Sequence, residues 1–345
     1  NDSLYWENLN RAKKSLALDL ARPEGRELLR ALIRAIGQVI TNFPAKGFMA
    51  HEVLAGGRAD LITVRVMGWA DGSPALDYTV NNAVGYPMMT GAGPEPVNHV
   101  LPAWDLISGA YAAFALLAAL RRRSETGAGC EVRIPLSDVA IGTAANLGGI
   151  AEVLYEDANR PRLGNAVYGL FGRDFVTADG VRTMIVVVTP RQWSQLVAAL
   201  DLEQGIAAIE AERGVSFATD DGLRFTHRDA LFPLFEQAVG ARSHADLAKA
   251  LDKGGVVHSA YRTMLDAAKD PELVANNPIF GVAENPSGFS YPAAGAFATV
   301  PQLERHAPRA APRNGQHSEQ ILADHLSLSS GEIARLIDAG IVGIA

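Results

Sequence analysis

The chain has 345 residues, 48% of them hydrophobic and one fifth charged, with a formal net charge of −7. That composition supports a large core, in one big domain or two smaller ones, and excludes a mainly disordered chain. The mild acidity argues against a nucleic-acid-binding face, which is usually basic. Cys130, the only cysteine, rules out an internal disulfide framework or a cysteine-based metal cluster and fits a reducing cytoplasm.

The elements are taken in chain order. "SLALDL" (15–20) reads as a strand. "RPEGRELLRALIRAIG" reads as a helix: Pro23 suits the first turn, Leu28, Leu29, Leu32, Ile33 and Ile36 share a face, and Gly37 is the stop. "QVITNF" (38–43) and "LITVRV" (61–66) are β-branched runs of the kind buried on both faces of a parallel sheet, with a helix-sized segment around 51–57 between them. The alternation predicts a doubly wound, Rossmann-like α/β domain.

Residues 98–129 hold a long apolar run that Asp105 opens and Arg121, Arg122 and Arg123 close. The stretch 106–120 falls short of the roughly 20 residues a membrane span needs, so a buried, closely packed helix is expected. "CEVRIPL" (130–136) returns as a strand. Residues 140–172 read as helix and then loop, and 174–189 as two strands around the Asp179-Gly180 turn. Residues 191–275 are mostly helical. A Pro/Gly/Asn-rich passage (276–301) follows, and Ser329 with Glu332 forms a capping box before a last helix. The division expected is a large α/β domain over 1–140, linker helices and loop over 141–172, a smaller α+β domain over 173–290, and a segment over 291–345 that returns to the large domain.

Asp105 admits two readings. An Asp at a helix start is a favoured cap, because its carboxylate accepts orphan backbone N–H bonds and faces the positive dipole end. The alternative is a reactive carboxylate facing an activated acyl group, with Pro102 and Trp104 stiffening the approach and Gly109 letting another backbone come close. Spacing leaves both open. The three arginines suit the helix's C-terminal end better than a phosphate site. "TGAG" at 90–93 and again at 126–129 does not continue as a nicotinamide fingerprint. The eight histidines lack metal spacing, and no serine sits in a nucleophile elbow beside which His99 would complete a triad. "NRAKKS" (10–15) is a solvated surface or an anion site at a sheet edge.

Taken together, several stretches resemble one family. "LNRAKKSLALDLARPEGRELLRALI", "TNFPAKG", "AWDLISGAYAAFALLAALRRRSETGAG", "RLGNAVYGLFGRDFVTADG" and "APRNGQHSEQIL" are similar, in order, to the signature blocks of family III CoA-transferases of the CaiB/BaiF type. The resemblance covers nearly the whole chain, which makes it specific where each block alone is weak. It implies an interlocked homodimer with coenzyme A as part of the substrate; the lone cysteine and the scattered histidines add the expectation of a cytoplasmic protein with no metal. The resemblance implies that Asp105 is the nucleophile, forming an aspartyl acyl anhydride, and that Asn10, Lys13, Asn42, Phe43 and Lys46 contact the CoA. It also implies a first strand and helix before Asn1, a segment of about 30 residues or more, the size of one βαβ unit.

Within the family, "TNFPAKGF", "DYTVN", "MMTG", "VNHVLPAWD" and "GLFGRDF" look most like the members that move CoA from C1 to C4 of mesaconate (2-methylfumarate), in the 3-hydroxypropionate route. The alternatives are an intermolecular acyl-CoA:carboxylate transferase, a 2-methylacyl-CoA racemase and a non-catalytic acyl-CoA-binding protein. The racemases carry a Gly-His-Asp stretch; here it is "ALDYTVN", with Leu76 in the His place, so one of two proton-transfer partners is missing. Each attack would build an oxyanion that needs N–H donors, and the start of the helix after Asp105 is expected to supply some and to hold Asp105 ionised.

Overall fold

A computed structural model describes residues 3–345. The chain divides into two compact units, one of residues 3–84, 100–151 and 267–345, the other of residues 85–99 and 152–266.

The first unit is built on a three-stranded parallel sheet of Gln38–Thr41, Ile62–Met67 and Cys130–Pro135, in that order. The central strand is buried on both faces: Ile62, Thr63, Val64 and Arg65 have no exposed surface. Its side chains alternate, as a strand requires. Ile62 and Val64 pack with Ala112, Ala119 and Ile134 under the long helix Ala103–Thr126. Thr63 and Arg65 face the other side, where the His51 Nδ1 and Thr63 Oγ1 atoms lie 2.9 Å apart. There the helix Pro23–Ile36 and the short helix His51–Ala55 enclose Ile33, Met49, Leu54 and Leu61. Helices on both faces of a parallel sheet make the α/β class expected from the alternation. Gly37 ends the first of these helices in the left-handed region, φ +84°.

The first strand departs from expectation. Ile40 is half exposed because Gln38–Thr41 is an edge among the described residues rather than a fully covered strand. The run 15–20 also differs. Only Ala17–Leu18 is strand, and it pairs antiparallel with Val342–Gly343, outside the parallel sheet. That pairing seats the helices Ser318–Leu326 and Ser330–Asp338 through Leu322, Ile333, Ile341 and Val342 against Leu16, Leu18 and Leu28. The capping box of Ser329 and Glu332 forms as read. Inside the Pro/Gly/Asn-rich passage lies an unforeseen hairpin, Phe280–Glu284 with Ser290–Ala294, turning through Gly288 at φ +80°. Pro292 in one strand and an exposed Val282 hid its alternation.

The long helix is not the buried helix expected. Trp104, Ser108, Ala112 and Ala119 are its buried residues, one narrow stripe of mostly small side chains that lets it lie close on the sheet. Leu106, Tyr111, Phe114 and Leu117 stand exposed, Phe114 at 69%. Its 24 residues also exceed the apolar run read from sequence. By length and composition it is the one helix among the described residues long and apolar enough to cross a membrane.

The second unit packs an antiparallel sheet of Gly172–Val176, Arg182–Val186 and Val257–Ala260 against helices between 190 and 254. The hairpin turns at Asp179-Gly180, with Gly180 at φ +80°. Its core is aromatic: the Phe171 ring lies 4.6 Å from that of Phe235 and 5.2 Å from that of Trp193.

Candidate active site

In open α/β sheets ligands bind beyond the carboxyl ends of the strands. A cavity of about 710 Å³ occupies that place in the first unit. Its walls are residues 42–46 after the first strand, 66–68 at the end of the second and 70–76 beyond it, and Arg133 and Leu136 around the third. Asp105 enters from the first turn of the long helix. The site therefore brings together Asn42, Phe43, Lys46 and Asp105, four of the six residues singled out from the sequence.

Asp105 is not the cap. The N-cap position is Pro102, whose side chain accepts nothing, and Asp105 is the third residue of the helix. The capping is supplied instead by Asp77, the first residue of the helix Asp77–Ala83. Its Oδ2 accepts the N–H of Trp104 at 2.7 Å and of Asp105 at 3.2 Å. Asp77 is 2% exposed, and four residues on, Asn81 Oδ1 accepts the indole N–H of Trp104 at 3.3 Å. The Asp105 carboxylate is thus left out of the capping and faces the cavity.

One expectation about this helix start fails, and a second meets an opposing effect. The N–H groups of Ala103 and Leu106 go to Leu101 O and Pro102 O, so with Trp104 and Asp105 all of the first four are engaged and none serves an oxyanion. Asp105 also sits in surroundings that work against its charge. Partial desolvation by the walls, and then the neighbouring Asp77 charge, raise its pKa above the ordinary carboxylate value. Solvent reaches Asp105 through the cavity, but less of it than in open water. Within this chain no described atom outside the helix's own nearby backbone comes within 4 Å of a Cβ placed at Gly109.

The 42–46 wall is held by a buried arginine that the sequence motifs did not single out. Arg65, wholly buried in the central strand, donates to the carbonyls of Phe43, Pro44 and Met49 and pairs with Glu131. Phe43 N donates to Thr41 Oγ1 at 3.1 Å, and its ring meets Phe48 edge-on at 5.8 Å. Leu76 lies on the opposite wall, 72% exposed, with no group that moves a proton.

Asn10 and Lys13 do not line this cavity. They follow the first helix, Leu4–Leu9, where Lys13 Nζ donates to Asn10 Oδ1 at 3.0 Å and Asn10 Nδ2 to Trp6 O. One member of the arginine run is structural. Arg123 donates to Gly37 O at 2.8 Å and to Gln38 Oε1 at 3.2 Å, tying the helix end to the first strand. The second "TGAG" ends in a close approach: a Cβ on Gly129 would stand 2.0 Å from Leu61 O. The signal for Asp77 was present in "ALDYTVN", an acid at the mouth of a helix. What it caps lies 27 residues away and was not legible.

The model of CoA-transferase family III matches residues 1–318. The 2-methylfumaryl-CoA isomerase of Chloroflexus aurantiacus is 43% identical to this chain, over 99% of the chain and 85% of that protein. The succinyl-CoA–D-citramalate CoA-transferase of the same organism is 26% identical over 97% of the chain and 83% of that protein. Among solved structures, a CaiB/BaiF family protein from Brucella suis superposes with a TM-score of 0.74 at 24% identity, over 93% of this chain and 83% of that one.

Proposed function

Because the chain belongs to CoA-transferase family III, we propose that it moves CoA between the C1 and C4 carboxyls of 2-methylfumaryl-CoA (mesaconyl-CoA), with Asp105 as nucleophile. The similarity to the Chloroflexus isomerase, running over almost the entire chain, supports the substrate. One observation carries the choice of nucleophile: Asp77 caps the long helix, so the Asp105 carboxylate faces the cavity uncommitted.

In this reading an Asp105 oxygen attacks the C1 thioester carbonyl. A C–O bond forms, the C–S bond breaks and CoA leaves as thiolate, giving a mixed anhydride. The thiolate attacks the Asp105 carbonyl, which frees the C1 carboxylate and parks CoA on Asp105 as a thioester. The C4 carboxylate attacks that thioester, expels the thiolate again and forms the C4 anhydride. The thiolate attacks C4 and Asp105 is restored. Each step exchanges one activated acyl bond for another, and no proton is gained or lost overall. Activation is retained only while water is kept off the anhydride. Asn42, Phe43 and Lys46 are proposed to hold the CoA along the loop wall, with Lys46 offering a cation to a phosphate. Asn10 and Lys13 are proposed as outlying CoA contacts.

A soluble cytoplasmic homodimer, interlocked as in the family resemblance, completes the proposal. It is supported by Leu106, Tyr111, Phe114 and Leu117, an exposed apolar face on a helix whose other face is packed.

The test is incubation with mesaconyl-C1-CoA alone. The C4 isomer should accumulate without added acid, and hydroxylamine should trap Asp105 as its hydroxamate by mass spectrometry. A second reading, transfer to a separate dicarboxylate, takes its support from the similarity to the D-citramalate transferase. It requires free acid before any C4 product appears.

A further inference from the structure

The long helix begins without a cap of its own. Pro102 offers no side-chain acceptor, so the Trp104 and Asp105 N–H groups of the first turn are satisfied by a carboxylate from another helix, Asp77. The borrowing is double. Asp77 and Asn81 stand one turn apart on Asp77–Ala83, and they grip respectively the backbone and the indole of the same first turn. Asp77 and Asn81 are 2% and 1% exposed and Trp104 is 5% exposed, so this grip is dry.

We propose that Asp77 is the positioning residue of this site, its single Oδ2 clamped by the Trp104 and Asp105 N–H groups so that it fixes where the Asp105 carboxylate stands. The inference rests on Asp105 being the nucleophile. A capped helix start ordinarily leaves its own acid neutralised against the dipole. Here the positive end is already occupied by Asp77, and Asp105 has that like charge beside it: partial desolvation first, and then the Asp77 charge, raise its pKa. Lys46, Asp71 and Arg133 are the other charged side chains around the cavity, and Asp77 is the one that perturbs Asp105.

Three variants test this on the full-length protein with mesaconyl-CoA. Asp77→Ala removes the clamp, and kcat is expected to fall about a hundredfold, the usual effect of misplacing a reacting group by about 1 Å, with KM within about twofold. Asp77→Asn keeps an acceptor and the shape but removes the charge. It should recover most of kcat while moving the acidic limb of the kcat/KM profile to lower pH. Asp105→Asn serves as the control for the underlying reading. If Asp105→Asn is inactive while Asp77→Asn leaves the limb in place and Asp77→Ala turns over normally, the positioning role is wrong and the nucleophile stands. The positioning role is equally wrong if Asp77→Ala and Asp77→Asn lose activity only in step with thermal stability. If Asp105→Asn is active, the nucleophile itself is wrong.

Discussion

Arg65 and Glu131 form a buried pair across neighbouring strands, Nε to Oε1 at 2.8 Å, with Arg65 wholly enclosed and Glu131 12% exposed. Strand pairing sets them two residues apart on the same face, since Arg65 lies opposite Arg133 and Glu131 opposite Thr63. The second Glu131 oxygen takes Arg133 Nε at 2.8 Å. The pair therefore links the 42–46 loop, which Arg65 holds by its carbonyls, to Arg133 on the far wall of the same cavity.

Arg65→Met should destabilise the protein by about 3–5 kcal/mol, because it removes one of the two partners of a largely buried carboxylate and leaves several carbonyls without their donor. Denaturant unfolding measures the loss. Since the loop wall is released, KM for the CoA substrate should rise at temperatures where the variant is still folded. Burial pushes the Glu131 pKa up, but the Arg65 and Arg133 hydrogen bonds outweigh it and hold the pKa below the ordinary value. A lowered folded pKa means stability present above the unfolded value and lost as pH falls through the folded one. Arg65→Met should flatten that acid limb of the stability curve.

Asp105→Asn should cut turnover about 10⁴-fold or more, as an amide cannot form the anhydride. Its effect on stability has the opposite sign. The folded pKa of Asp105 is raised, so above that pKa its charge disfavours the folded state relative to the unfolded chain, and the cost disappears as pH falls. The neutral variant should melt slightly higher than the parent at neutral pH and show no such gain in acid. A variant that is both inactive and less stable contradicts this account.

Lys46→Ala should raise KM about 2- to 10-fold with kcat nearly unchanged, the mark of a contact made equally in ground and transition states. Lys13→Ala should do less, because its Nζ is already held by Asn10 and lies off the cavity wall. Initial-rate kinetics on the two variants side by side decide the order.

Gly129→Ala places a methyl 2.0 Å from Leu61 O, where the third strand enters beside the central one. Backbone has to move, so a loss of about 1–3 kcal/mol or more is expected. Gly109→Ala, on the same helix-to-strand stretch but in open space, should cost nothing measurable or stabilise the helix. The contrast is read from the two melting curves.

Light scattering at micromolar concentration should give twice the 36.6 kDa chain mass. Phe114→Glu with Leu117→Glu should abolish that species, yielding monomer or insoluble protein, because two charges enter an apolar contact. A parent that runs as a monomer removes the dimer from the proposal.

Local chemistry alone determined a good deal of this protein. Pro23 and Gly37 bound a helix, the β-branched run at 62–66 became a buried strand, Asp179-Gly180 turned a hairpin, and Ser329 with Glu332 capped the last helix. These features depend on neighbours a few residues apart, where propensity and periodicity act. The ordered blocks also carried the family, and Asp105 with it as the expected nucleophile.

What tertiary structure decided lies in contacts between distant parts of the chain. Asp77 reaches the first turn of the long helix across 27 residues, Arg65 meets Glu131 across 66, and Ala17–Leu18 finds its partner strand at the far end of the sequence. Pairing partners and charge environments arise only once the sheet has formed, and no window of sequence contains both members. That is why the spacing around Asp105 left both a cap and a reactive group open. The spatial arrival of Asp77 assigned the cap to another residue.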